Sequence, residues 1–340
     1  MENKEIPKIS FLKRIKTSIF NVEMYDIFAV EKITKALGYF VKLIIVFSLL
    51  VSIGITYKFV NMYNTTKDCI KNEIPEFTYK DGILTLQEEQ GIDINNENLI
   101  VSRIIIDTTE DEAKQEELIN KIKNEPLVVL FLKDRVLLNI PQQEEAALYK
   151  YEEIAKSYNV NEFTKQQLVE FVDSIQTSSL YGAFYISAAI YVFFIYIIVI
   201  TSDVLILSLL GFVTSRLVRM KLKYLPIINI SIYSLTLSIL LNAVYIIINT
   251  ITGFEIRYFQ IMYNTIAYIY LVTAILMIRA EMIKQQMELA KVIEEQKKVN
   301  EELEKQKEEE KKQDNKDDEK EPEPKENEND DTVPDGNSPV

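Results

Sequence analysis

LYGAFYISAAIYVFFIYIIVITSDVLILSLLGFVTS, residues 180–215, is the run on which the fold turns. Its first part, Leu180–Ile200, suits one membrane-spanning helix, because a hydrocarbon layer of about 30 Å takes roughly 20 residues at about 1.5 Å each. The run does not stop there. Thr201-Ser202-Asp203 interrupts it, and Val204–Val213 resumes the apolar character before Thr214 and Ser215. As one helix the whole would be about 54 Å long, too much for a single upright span, while its second part is short for another. A break at Asp203 followed by an interfacial helix over 204–215 is the primary expectation. A fifth span over the same residues is the open alternative.

Outward from this run, Leu225–Ile248 and Ile261–Ile278 follow closely, and Ala36–Tyr57 stands alone ahead of a long polar stretch. The pattern predicts an α-helical polytopic membrane protein of four spans (five on the alternative) with an inserted extracytoplasmic α+β domain. A helical and then disordered tail completes it. Residues 1–35 form an amphipathic cytoplasmic segment, 36–57 the first span and 58–178 the outer domain. Residues 179–278 form the membrane helical domain, with spans 180–200, 225–248 and 261–278. Residues 279–313 are a cytoplasmic helix, and 314–340 a disordered acidic tail.

Charge sets the orientation. Lys4, Lys8, Lys13, Arg14, Lys16, Lys32 and Lys35 precede the first span; Arg216, Arg219, Lys221 and Lys223 lie between the second and third; Arg279 and Lys284 follow the fourth. Short loops rich in Lys and Arg stay in the cytoplasm. Four spans with both ends inside satisfy all three groups and leave 58–178 extracellular, so the expected location is the cell membrane. The first span reads as a signal anchor, since no small-x-small cleavage pattern follows Val51-Ser52-Ile53-Gly54. Phe11, Leu12, Ile15, Ile19 and Phe20, with Lys13, Arg14 and Lys16 between them, predict an amphipathic helix on the anionic inner leaflet.

The net charge of −13 is unevenly spread. Asp314–Asp335 has 11 acidic and 3 basic residues, and Lys58–Ser178 has 23 acidic and 13 basic, which is −8 and −10. No basic nucleic-acid footprint exists, so no nucleic-acid partner is expected. The chain has no His and one Cys, Cys69, which removes most zinc sites, the imidazole base and any internal disulfide.

In the outer region, Phe77-Thr78-Tyr79 and Ile83-Leu84-Thr85-Leu86 flank Asp81-Gly82, a tight-hairpin signal. Leu99–Ile106, Leu127–Leu132 and Val136–Ile140 read as further strands. Asp111–Lys123, Glu144–Ser157 and Phe163–Ile175 read as helices, the last with a Thr164/Gln167 capping box. Ile105-Ile106-Asp107-Thr108-Thr109 is close to the Asp-Thr-Gly of aspartic proteases, but it lacks the Gly and a second copy, so Asp107 reads as a turn former. Glu110, Asp111 and Glu112 with Glu116 and Glu117 read as an acidic first helical turn rather than a cation site. No catalytic, cofactor-binding or metal residues are assigned, and no enzyme activity is expected.

Polar residues in the apolar segments are few. Lys42 is near enough to the inner end of its span to snorkel. Asp203 is the candidate functional acid within the membrane. Ser231, Ser234, Ser238 and Asn242 recur at steps of three and four and form a helix-packing stripe, with Tyr263, Asn264 and Tyr268 as partners. After Ile278, Met282, Leu289, Val292, Val299 and Leu303 approximate a coiled-coil seam broken by Gln285 and Gln296.

Phe11 to Asn21, then Tyr25, then Ile74-Pro75-Glu76-Phe77, Asp81-Gly82-Ile83-Leu84, Ile105-Ile106-Asp107-Thr108 and the basic approach to Tyr224–Leu235 carry a resemblance. Across about residues 10–280 the chain resembles the bacterial membrane-protein family described as domain of unknown function 1189; Thr109 departs from the Gly expected there. The membrane half is more loosely similar to Yip-type proteins, which have five spans. The resemblance implies architecture rather than an activity. The expectation is a non-enzymatic membrane protein that senses, binds or scaffolds on the outside and couples to cytoplasmic partners. The alternative is an accessory subunit of a membrane transporter, for example for sugar uptake. Partners are the lipid bilayer and unidentified membrane or cytoplasmic proteins, with homo-oligomerisation left open.

Overall fold

The computed structural model describes residues 9–87, 91–109, 112–122, 125, 127–140 and 146–317. Two compact units divide it, residues 1–277 and 278–340. In the first, α1 (Phe11–Phe20), a 3-10 turn (Val22–Met24) and α2 (Tyr25–Val30) lead to α3, Ile33–Asn72. The helix outruns the apolar segment at its centre because 58–72 contains neither Gly nor Pro. It stops where Pro75 biases Ile74 to extended backbone.

The expected break at Asp203 is absent: α7 runs unbroken from Thr177 to Leu217. The reason is local. Thr201 and Ser202 donate their hydroxyls back to the carbonyls of Ile197 and Ile198, and Asp203 accepts from the Tyr263 hydroxyl at 2.9 Å. Each polar side chain is satisfied without disturbing the ladder. Residues 204–215 therefore continue α7 and do not form a helix of their own. Helices α8 (Tyr224–Ser234) and α9 (Thr236–Thr252) meet at Leu235, whose N–H and carbonyl still bond to Ser231 and Ile239. Helix α10 extends from Phe259 to Asp317. It takes in Asp314–Asp317, so the expected disordered tail starts too early; residues 318–340 lie outside the described residues. Among the described residues four helices are long and apolar enough to cross a membrane. Residues Met282, Leu289, Val292, Val299 and Leu303 are all exposed.

Close crossing explains one glycine. A Cβ on Gly211 of α7 would lie 2.9 Å from Ile227 Cγ2 and 3.1 Å from Leu271 Cδ2. The other surprise is α1. Arg14 does not face lipid headgroups; it is buried and forms a two-pronged ion pair with Glu31, while the Tyr233 hydroxyl also bonds Glu31 and the Phe28 ring stacks on Tyr233 at 3.9 Å. Asn229 adds a bond to the Glu31 carbonyl at 2.9 Å. Leu12, Lys13, Lys16 and Phe20 remain exposed.

Between α3 and α7 the described residues form two small sheets. The first has order β2-β1-β8, from Ile83–Leu86, Phe77–Lys80 and Glu162–Thr164, all antiparallel. The second has order β3-β4-β5-β6-β7, from Ile92–Asn95, Arg103–Ile106, Val128–Phe131, Arg135–Asn139 and Ala147–Lys150. Only β4 and β5 are parallel, joined through α4, Glu112–Ile122. The hairpin expected at Asp81-Gly82 forms, with φ of 50° and 86°. The strand expected over Leu99–Ile106 shrinks to β4. The helix expected over Glu144–Ser157 becomes β7 followed by α5, Tyr151–Tyr158, because Ala147–Lys150 pairs with β6. Likewise Phe163 and Thr164 belong to β8, and α6, Lys165–Ser174, starts on the expected Thr164/Gln167 capping box.

Candidate functional site

Strand side chains alternate between faces, and one face of the three-stranded sheet is consistently apolar: Phe77 and Tyr79 of β1, Leu84 and Leu86 of β2, Phe163 of β8. Register sets Phe77 opposite Leu86, and Tyr79 opposite both Leu84 and Phe163. Across from them lie Ile106 of β4 and Phe131 of β5, while α5 contributes Tyr151, Ile154, Ala155 and Tyr158. With Ile74, Val160 and Leu168 these residues line a cavity of about 400 Å³. One main-chain bond, from Leu84 to the Lys133 carbonyl, links the two sheets, and another, from Tyr151 to the Asp134 carbonyl, ties α5 to the turn between β5 and β6.

Among the described residues no lining residue is charged. The Tyr151 hydroxyl is spent on the Leu132 carbonyl at 2.9 Å, and burial, helped by the Asp134 charge, pushes its pKa up. Ile154 and Tyr158 are exposed and form apolar rim.

The wall of this cavity grows out of the long helices. Cys69 belongs to the same buried cluster as Ile74, Leu84 and Ile106, with Ile70 packed against it, so the last turns of α3 are core residues of the sheet domain. Leu168 sits on α6, and only Ile175 and Gln176 separate α6 from α7. Asp173 Oδ1 ties the two sides together, 2.8 Å from Lys67 Nζ and 2.7 Å from Lys71 Nζ. Those two ammonium groups hold its carboxyl below the usual carboxylate range. Lower down, Tyr181 donates to Asn64 at 3.1 Å and Phe59 stacks on Phe184 at 3.9 Å.

Elsewhere in the domain several charged side chains form ion pairs. Arg103 bonds Asp93 and Glu125. Asp107 accepts from the Thr109 N–H at 3.0 Å and pairs with Lys114 at 2.8 Å. Burial alone would raise the Asp107 pKa, but Lys114 and Thr109 outweigh it and hold the carboxyl low. Glu110 and Asp111 of the acidic cluster lie outside the described residues.

Ser231, Ser234 and Ser238 are buried and Asn242 is half-buried. Ser238 donates to the Tyr263 carbonyl at 2.9 Å, whereas Ser231 bonds back to Ile227. Asn264 is exposed, and Tyr268 reaches Thr214 on α7 at 3.2 Å rather than the stripe. The partner of Asp203 is Tyr263, a pairing that no spacing rule would find.

The model of a family described as protein of unknown function (DUF1189) matches residues 12–275. No curated protein and no solved structure matches the chain.

Proposed function

This chain belongs to the DUF1189 family, and from that premise we propose that it is a cell-membrane protein whose sheet domain binds a ligand outside the cell and passes the bound state inward through α3 and α7. The observation that carries this reading is the cavity wall. Ile74 lies two residues beyond α3 with its N–H bonded to the Cys69 carbonyl, Leu168 lies on the helix leading into α7, and Asp173 pins the two sides together. A ligand shifts an equilibrium only through contacts that differ between two states. One that spreads Ile74 from Leu168 makes such contacts at the junction of both helices.

Lys and Arg near the helix ends support the orientation, with residues 1–35 and 218–223 inside. Four crossings return the chain to its starting side, so cytoplasmic protein partners would meet the exposed residues beyond 278. The bilayer is the remaining partner, and α1 would offer it Leu12, Lys13, Lys16 and Phe20.

Two measurements test the reading. In a Cys69→Ala background, Lys156→Cys should react with an impermeant maleimide in intact cells and Lys221→Cys should not; the reverse pattern overturns the orientation. In lipid nanodiscs, filling the cavity with Ala155→Trp, or more mildly with Leu168→Phe, should change hydrogen exchange over residues 64–74 and 177–184. Unchanged exchange in a folded variant overturns the coupling.

A further inference from the structure

We infer that the cavity receives one hydrocarbon chain of an amphiphile whose head group is uncharged or cationic; this rests on the sensing role proposed for the same site. Size is the first argument. About 400 Å³ lies at the small end of ligand pockets, which run from about 300 to about 1,000 Å³. It suits a single chain rather than the two chains of an intact phospholipid.

Chemistry is the second. A sugar, amino acid or nucleotide brings several hydroxyl, amide or charged groups, and each must find a partner when it leaves water. Among the described residues the lining carries no charge; its hydroxyls are those of Tyr79, Tyr151 and Tyr158, and Tyr151 already donates to the Leu132 carbonyl. A hydrocarbon chain makes no such demand. Exposed Ile154 and Tyr158 extend the apolar surface outward and give the chain a path to the cavity.

The head group is selected by charge. Residues 58–178 carry 23 acidic and 13 basic side chains, so their field repels a carboxylate and favours a cation at low ionic strength. Because the domain stands on α3 and α7, the adjacent bilayer surface is where such amphiphiles gather.

The test uses full-length protein in nanodiscs with 11-(dansylamino)undecanol as the reporter, displaced by alkyl alcohols, alkyl trimethylammonium ions and alkyl carboxylates of 8 to 16 carbons. Specific binding is the signal lost in Ala155→Trp or Leu168→Phe, which removes partition into the disc. Its affinity should rise about fourfold per methylene, from about 0.8 kcal/mol each, and level off once the cavity is full. At low salt the cation should bind tighter than the carboxylate, and the gap should shrink with added salt. A monoacylglycerol matching the alcohols would point to a membrane source, and the free alcohol binding without it to a soluble source; either supports one chain. Displacement by maltose or a rigid sterol but by no alkyl chain would overturn the inference. So would affinity that ignores chain length. If no alkyl probe binds while the two filling variants still alter exchange over 64–74, the chain assignment falls and the coupling stands. If probes bind and exchange never changes, the coupling falls instead.

Discussion

Arg14 and Glu31 form a buried, bidentate ion pair, Nη1 to Oε1 at 2.9 Å and Nη2 to Oε2 at 3.0 Å, with 1% of the Glu31 side chain exposed. It closes α1 onto the start of α3 and onto α8, where Tyr233 and Asn229 complete it. Removing one partner leaves the other charge buried and unmatched. Arg14→Ala or Glu31→Ala should therefore cost about 3–5 kcal/mol, while Arg14→Met with Glu31→Leu should cost far less than either alone. Thermal unfolding in detergent measures the difference; equal losses in single and double variants would contradict it.

Gly211 and Gly38 make a matched pair. A Cβ at 211 meets fully buried Ile227 and Leu271, so Gly211→Val should destabilise by about 1–3 kcal/mol through overpacking. Nothing lies within 4 Å of a Cβ at 38. Gly38→Ala should be neutral, or stabilising by up to about 1 kcal/mol from helix propensity. Denaturation of the purified protein in mild detergent reads both.

Asp203 and Tyr263 join α7 to α10 through one hydrogen bond, and Ser238 joins α9 to the same tyrosine's carbonyl. Interhelical bonds of this kind are worth about 0.6 kcal/mol and at most about 1.7 kcal/mol. Tyr263→Phe and Asp203→Asn should each lose stability on that scale. A double-mutant cycle should give a coupling of about 1 kcal/mol, and zero coupling would show that the bond contributes nothing.

Acid should loosen the sheet domain. Arg103 holds Asp93 low, and Lys67 with Lys71 holds Asp173 low. At Asp107, burial pulls upward but Lys114 and Thr109 prevail. A carboxyl depressed in the folded state contributes stability that is whole above its unfolded value and is lost as pH falls through the folded one. The loss therefore belongs below about pH 4, the ordinary Asp range. Urea unfolding followed by tyrosine fluorescence should show a steep decline there, shallower in Asp107→Asn. A decline centred near pH 6 would point to other groups.

The apolar runs, the Asp81-Gly82 turn and the Thr164/Gln167 cap were legible in the sequence because each depends on neighbours within a few residues. Helix spacing also marked Ser231, Ser234 and Ser238 as inward-facing. The strands β7 and β8 were not legible: Ala147–Lys150 and Glu162–Thr164 carry no strong strand signal and exist because β6 and β1 offer them hydrogen bonds. Reading Arg14 as a lipid contact failed for a similar reason, since its partner lies 17 residues away and its aromatic neighbour Tyr233 lies 219 away.

The cavity divides the two levels most clearly. Alternation in Phe77, Tyr79, Leu84 and Leu86 determines that these strands have one apolar face, because side chains two residues apart must share a face. Whether that face is packed solid or left open depends on what Ile106, Phe131, α5 and α6 bring opposite it, which only the tertiary structure decides. The same holds along α7. Hydropathy determines that residues 180–213 avoid water, a property each side chain carries alone. Continuity through Asp203 required back-bonded hydroxyls and the Tyr263 hydroxyl 60 residues away, so the helix stays whole where its sequence suggested a break.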